Sequence, residues 1–145
     1  MKLLNLTTIC LMMGGISLST AAASEYDTQV KLQLLEIETE LESEGYTLDR
    51  KYTLDTLNED STQTHSYYFQ AGTEYYIVGV CDVDCIDIDM WLYDENGNEI
   101  DEDESDDDMP VLIVTPKWDG VYYVETKMYD CSDEPCSHGH LIMTD

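Results

Sequence analysis

The sequence predicts an all-β fold, an antiparallel β-sandwich or jelly roll of about seven or eight strands, preceded by one α-helix. Three observations carry this. From Tyr46 onward, apolar residues alternate with polar ones at a period of two, in short runs. Turn signals punctuate the runs at Ala71-Gly72, Asn96-Gly97 and Asp119-Gly120. The chain also holds 11 tyrosines against one phenylalanine, and tyrosine packs its ring on a sheet while its hydroxyl reaches water.

Residues 1–23 read as a secretory signal. Lys2 supplies the positive start, Leu3 to Leu18 is mostly apolar, and Ala21-Ala22-Ala23 offers a cleavage site after Ala23. The apolar stretch is short and is broken by Gly14-Gly15, which argues against a membrane anchor. Cys10 leaves with this segment. What remains is roughly 120 residues, the size of one domain.

Residues 24–45 form the predicted helix, capped by Asp27 and running to about Glu44. Val30, Leu34, Ile37 and Leu41 fall on one stripe, with the glutamates mostly off it, and Gly45 is the stop. The stripe should pack on the domain or on the same helix of a second copy.

Residues 46–145 form the predicted β-domain. Tyr46 to Leu54 reads as one long or bent strand, and Asn58 to Gln63 as loop. Strands follow over Tyr67 to Gln70 and over Tyr75 to Val80, the latter a continuous apolar run. Next, Ile86, Ile88, Met90 and Leu92 alternate with Asp87, Asp89, Trp91 and Tyr93, which predicts one core face and one wet face. Further strands are Val111 to Thr115, Val121 to Tyr129 and Gly139 to Thr144. The acidic run from Asp101 to Asp108 reads as a solvated, mobile loop.

Charge bounds the partners. The chain carries 32 acidic and 6 basic residues, a net charge of −26. A surface this anionic excludes nucleic acid and anionic lipid, and no second apolar run suits membrane insertion. It favours cations or basic partners, although acid-rich surfaces also suit a saline habitat. The four cysteines after the signal are Cys81, Cys85, Cys131 and Cys136. An even count in an exported chain favours two disulfides. Three pairings are open, of which the local ones, Cys81–Cys85 and Cys131–Cys136, are expected.

The most distinctive stretch is Cys81-Asp82-Val83-Asp84-Cys85-Ile86-Asp87-Ile88-Asp89. Two Asp-x-Asp pairs lie in and beside a cysteine-bracketed turn. Carboxylates this dense repel one another unless water, salt or a cation screens them. Calcium takes six to eight oxygen ligands in loose geometry, so Asp82, Asp84, Asp87 and Asp89, with Asp94 as an extra, are the candidate ligands. The competing reading leaves them as solvated turn and surface residues.

Three further motifs occur in order: Tyr68-Phe69-Gln70-Ala71-Gly72-Thr73-Glu74-Tyr75, Asp87-Ile88-Asp89-Met90-Trp91-Leu92-Tyr93-Asp94-Glu95-Asn96-Gly97, and Pro116-Lys117-Trp118-Asp119-Gly120-Val121-Tyr122-Tyr123-Val124. With these, the segment from Tyr67 to Ile142 resembles the bacterial pre-peptidase C-terminal domain family, to which the collagen-binding modules of clostridial collagenases are related. The resemblance implies a secreted β-sandwich serving as a non-catalytic binding or accessory module, in some members calcium-stabilised. Unlike the usual family member, this sequence carries no catalytic domain beside the module.

Enzyme readings lack a nameable constellation. There is no Gly-x-Ser-x-Gly elbow, and the cysteines after the signal read as structural. A carboxylate pair for glycoside hydrolysis would be an arbitrary choice among so many acids. His138 and His140 share one side of a strand, as a transition-metal pair would, but with His65 they read as surface residues at loop ends. The expectation is therefore a secreted or periplasmic, non-enzymatic module that binds a protein or polysaccharide, with Ca2+ near Asp82 to Asp89. The alternative is an acidic binder or inhibitor of a basic extracellular protein, with Tyr26, Trp118 and Tyr129 as aromatic anchors.

Overall fold

The computed structural model describes residues 19–50 and 52–145, with side chains from residue 25 onward. Most of the segment read as a signal, residues 1–18 with Cys10, lies outside the described residues. Helix α1 spans Ser19–Glu44. It starts well before Asp27, because Ala21 to Ala23 are the best helix formers available. Asp27 is therefore not the cap; its carboxylate accepts a hydrogen bond from Ser137 Oγ at 3.0 Å. The predicted stripe faces inward, onto Val78, Val80, Leu141 and Met143 of the chain's own sheet. The helix stops at Gly45 (φ 105°), where Gly45 N–H donates to the Glu42 carbonyl and Tyr46 N–H to that of Leu41. That crossed pair is the Schellman arrangement, which a left-handed glycine makes possible.

Nine strands follow: β1 (Thr47–Arg50), β2 (Asp55–Leu57), β3 (Thr62–Phe69), β4 (Tyr75–Cys81), β5 (Cys85–Tyr93), β6 (Glu99–Asp103), β7 (Val111–Val114), β8 (Gly120–Cys131) and β9 (Cys136–Thr144). They form two antiparallel sheets, β1-β9-β4-β7 with β2 also on β9, and β3-β8-β5-β6. The sandwich core lies between them and is built from Phe69, Tyr75, Ile77, Met90, Leu92, Leu112, Val114, Tyr122, Val124 and Ile142. Helix α1 covers the outer face of the first sheet. At one end, Leu57, Ile88 and Met128 pack with the four cysteines.

The structure corrects three readings. The run from Tyr46 to Leu54 is not one strand. It holds only the short strand β1, residues 52–54 have no strand assignment, and β2 begins after it at Asp55; between the two strands Thr53 N–H reaches the His140 carbonyl at 3.0 Å. Ile86 is 56% exposed rather than core, because the β5–β8 register slips between Cys85 and Ile88. A bulge shifts the inside–outside phase by one residue.

The first acids of the predicted loop form strand β6 instead. Asp101 Oδ2 accepts from Ile113 N–H at 2.8 Å, and Asp103 Oδ2 from Val111 N–H at 2.9 Å. These are the N–H groups that β7, at the edge of the other sheet, points away from β4. The Val111 and Ser105 donors hold the Asp103 carboxyl below its ordinary range, against the effect of its burial. Replacing both acids by alanine should destabilise the domain by about 2 kcal/mol, the value of hydrogen bonds to charged acceptors. A urea titration of the double variant would measure it.

Candidate functional site

The cysteine-bracketed loop is a stitched corner. Cys81 is bonded to Cys85 and Cys131 to Cys136, with Cα separations of 5.9 and 6.0 Å. Asp82, 2% exposed, accepts backbone N–H bonds from Ser137 (2.5 Å), Cys85 (3.2 Å) and Asp84 (3.1 Å). Burial pushes its carboxyl upward, and those three donors oppose the shift. Asp84 ties the two disulfide loops together: its carbonyl accepts from Ser132 N–H and Oγ, both at 2.8 Å. Asp84 Oδ2 is buried without a hydrogen-bond partner among the described residues, and the Asp84 carboxylate raises the pKa of the Tyr26 hydroxyl. Asp94 anchors the β5–β6 turn by accepting from Asn96 N–H (2.8 Å), Asn98 N–H (2.9 Å) and Asn98 Nδ2 (2.9 Å). The Asn98 side chain is the main cause holding its carboxyl below the ordinary range. Asp82 and Asp94 thus spend their oxygens on their own turns, and the five predicted ligands do not gather at one place.

Asp87 and Asp89 differ. The inner face of β5 carries Ile88, Met90 and Leu92, which leaves both acids on the outer face. That face was expected to be wet, yet the two residues are only 8% and 7% exposed. The acidic segment after β6 folds back over them, with Ile88 N–H donating to the Asp107 carbonyl at 3.0 Å. Across β8 stand Asp130 and Lys127. Lys127 Nζ lies 3.3 Å from Asp60 and 4.7 Å from the Tyr129 ring centroid, and its charge opposes the rise at both Asp87 and Asp89.

Burial, then Asp106, Asp107 and Asp130, raise the Asp87 carboxyl. Burial, then Asp87 and Glu104, push Asp89 up to about 6. Asp87 Oδ1 is buried with no hydrogen-bond partner among the described residues. A buried carboxylate oxygen without a donor is costly, and a cation removes that cost. Among the described residues, no three His, Cys, Asp or Glu side chains converge into a complete metal cage. What β5 offers is two carboxylates; carbonyl oxygens and water would fill the rest of a calcium sphere.

A second polar cluster escaped the sequence reading. His138 and His140 are 1% and 2% exposed, not surface residues. They point from β9 into the space between the sheets, toward His65 and Tyr67 of β3. Thr53 Oγ1 accepts the His140 backbone N–H (3.3 Å) and also lies 3.1 Å from His140 Nδ1. On the other side of the ring, Nε2 is hydrogen-bonded to the Tyr67 hydroxyl at 2.5 Å. Both His138 nitrogens, His65 Nε2, Gln63 Oε1 and Thr126 Oγ1 are buried without a hydrogen-bond partner among the described residues.

Burial lowers His138 to about 4, with His65 adding to the effect and Asp55 opposing it. Burial, then His65 and His138, lower His140 to about 3. Tyr67 is pushed up to about 12 by burial. The missed signal was the alternation Gln63, His65, Tyr67, Phe69, in phase with a strand that begins at Thr62 rather than Tyr67.

Two disulfides mark a chain that matures in an oxidising, extracytoplasmic compartment. No helix among the described residues is long and apolar enough to cross a membrane. No family model and no curated protein matches the sequence. Among solved structures, the chain is similar to the pre-peptidase C-terminal domain of collagenase from Bacillus anthracis, with a TM-score of 0.47 and 13% identity over 63% of this chain and 87% of that one.

Proposed function

We propose that this protein is a non-catalytic, exported accessory module whose Asp87 and Asp89 hold a calcium ion beneath the acidic segment that follows β6. The unpartnered, buried Asp87 Oδ1 beside Asp89 carries the calcium reading. The disulfide-stapled sandwich and the motif resemblance over Tyr67 to Ile142 support the accessory role. The ion neutralises two carboxylates that the fold otherwise holds close together and out of water. It also fixes the covering segment, and with it the anionic face offered to a protein or polysaccharide partner.

The test is a thermal melt of the oxidised domain at constant ionic strength, first in chelator and then with calcium or magnesium. Calcium at tenfold over its Kd should add about 1.4 kcal/mol, a Tm rise of several degrees. Magnesium at the same concentration should do much less. The increment should vanish in Asp87→Asn with Asp89→Asn. Equal responses to the two ions would mean simple screening and would sink the calcium site. The anionic face would then be better read as a surface for a basic protein.

A further inference from the structure

The histidine chamber has one wall that is lightly held. Residues 52–57 run along the outer edge of β9, and no strand among the described residues pairs with them on their other side. Thr53 is fastened by its N–H to the His140 carbonyl and by its hydroxyl to His140 Nδ1. In β2, Asp55 lies opposite His138, Thr56 opposite Ser137 and Leu57 opposite Cys136. Two of these attachments, at Thr53 and Asp55, fall on the buried histidines, and Leu57 packs beside the disulfides at the far end.

The groups facing this chamber come from every wall. Asp55 lies on β2, Gln63, His65 and Tyr67 on β3, Thr126 on β8, and His138 and His140 on β9. Arg50 from β1 sits over the Tyr67 ring, 5.8 Å from its centroid. Asp55 is the one carboxylate in this set. Its Oδ2 already accepts from Gln63 Nε2 at 2.6 Å and lies 3.9 Å from His65 Nε2. The rings of His65 and His140 are 5.3 Å apart.

The partners of His140 are the Thr53 and Tyr67 hydroxyls, neither of which carries a countering charge. A proton added to His138 enters a site with no acceptor on either ring nitrogen. The chamber holds too little counter-charge for two imidazolium ions, and the outermost strand is the part that can leave.

We propose that residues 52–57 form an acid-released latch: protonation of His138 and His140 frees this segment from β9 while the rest of the sandwich stays folded. The output is a bare β9 edge, whose N–H and C=O groups can then pair with another strand. The lowered proton affinities support the direction. The folded state binds fewer protons than the unfolded one, whose histidines titrate near the ordinary 6.5. The stabilisation is whole above that value and is lost as pH falls toward the folded values of about 4 and about 3.

The test is hydrogen exchange on the intact, disulfide-bonded chain in chelator, corrected for intrinsic rates, across pH 7.5 to about 4.5. Below about pH 6, protection of the Thr53 and β2 amides should fall about tenfold per pH unit for each histidine that charges, while β4 and β8 keep theirs. His138→Leu should roughly halve that slope on a logarithmic scale. His140→Leu should halve it likewise, and it serves if His138→Leu fails to fold. The Asp87→Asn, Asp89→Asn background should release the latch unchanged, which separates this device from the calcium site. Loss of latch protection in step with β4 and β8, or a pH dependence untouched by both chamber variants, would overturn the proposal.

Discussion

Gly139→Ala should destabilise the protein by about 3 kcal/mol, the upper end of the usual overpacking range. A Cβ at Gly139 would lie 2.3 Å from the Thr53 carbonyl oxygen, 3.1 Å from Leu34 Cδ1 and 3.3 Å from Leu54 Cδ2. The first of these is backbone, pinned by the adjoining hydrogen bonds between Thr53 and His140. The methyl can be housed only by lifting residues 52–57 away or by pushing α1 outward. Gly79→Ala is the informative contrast. Its Cβ would meet Met90 Sδ at 2.5 Å and Pro110 Cγ at 3.1 Å. A methionine chain can swing aside, so a cost nearer about 1 kcal/mol is expected there. Urea titrations at neutral pH would measure both. A Gly139→Ala midpoint no lower than that of Gly79→Ala would show that the backbone crossing yields easily.

Asp82→Ala should cost about 3 kcal/mol. The change strips acceptors from three backbone N–H groups at once, those of Asp84, Cys85 and Ser137. It also removes the side-chain half of the link between the Cys81–Cys85 corner and β9, leaving the bond from Asp82 N–H to the Ser137 carbonyl. Asp82→Asn keeps one oxygen and should recover part of the loss. The same pair of variants separates two views of the acidic stretch. If Asp82 were a calcium ligand, Asp82→Asn would abolish the calcium increment in Tm. With the ion at Asp87 and Asp89, the baseline Tm drops and the increment survives.

Much of the architecture was legible because it rests on local periodicity. Val30, Leu34 and Leu41 had to face something apolar, and short alternating runs with glycine turns had to pair as a sandwich. The expected local cysteine pairing is the one in the structure. What was not legible depends on phase and on distant cover. Ile86 turns out to solvent because the register slips between Cys85 and Ile88, and no residue type announces that slip. Asp87 and Asp89 are buried by a segment nearly twenty residues away, roughly the distance over which periodicity stops informing. His138 and His140 look polar enough for a surface, yet β9 is flanked by strands on both sides and its alternation sends them inward. The five proposed ligands divided for a simpler reason: an aspartate at a turn can serve the backbone or an ion, and composition does not say which.

The carboxylates of Asp101 and Asp103 have a consequence beyond stability. A strand at the border of a sheet is a template on which other chains can grow, and an exported protein meets crowded, unchaperoned surroundings. With the outward donors of Val111 and Ile113 already claimed by charged oxygens, β7 gives a would-be fibril little to copy. An incoming strand would have to displace two anions. The acidity of this chain, so conspicuous as a composition, thus blunts this border as a template for strand addition.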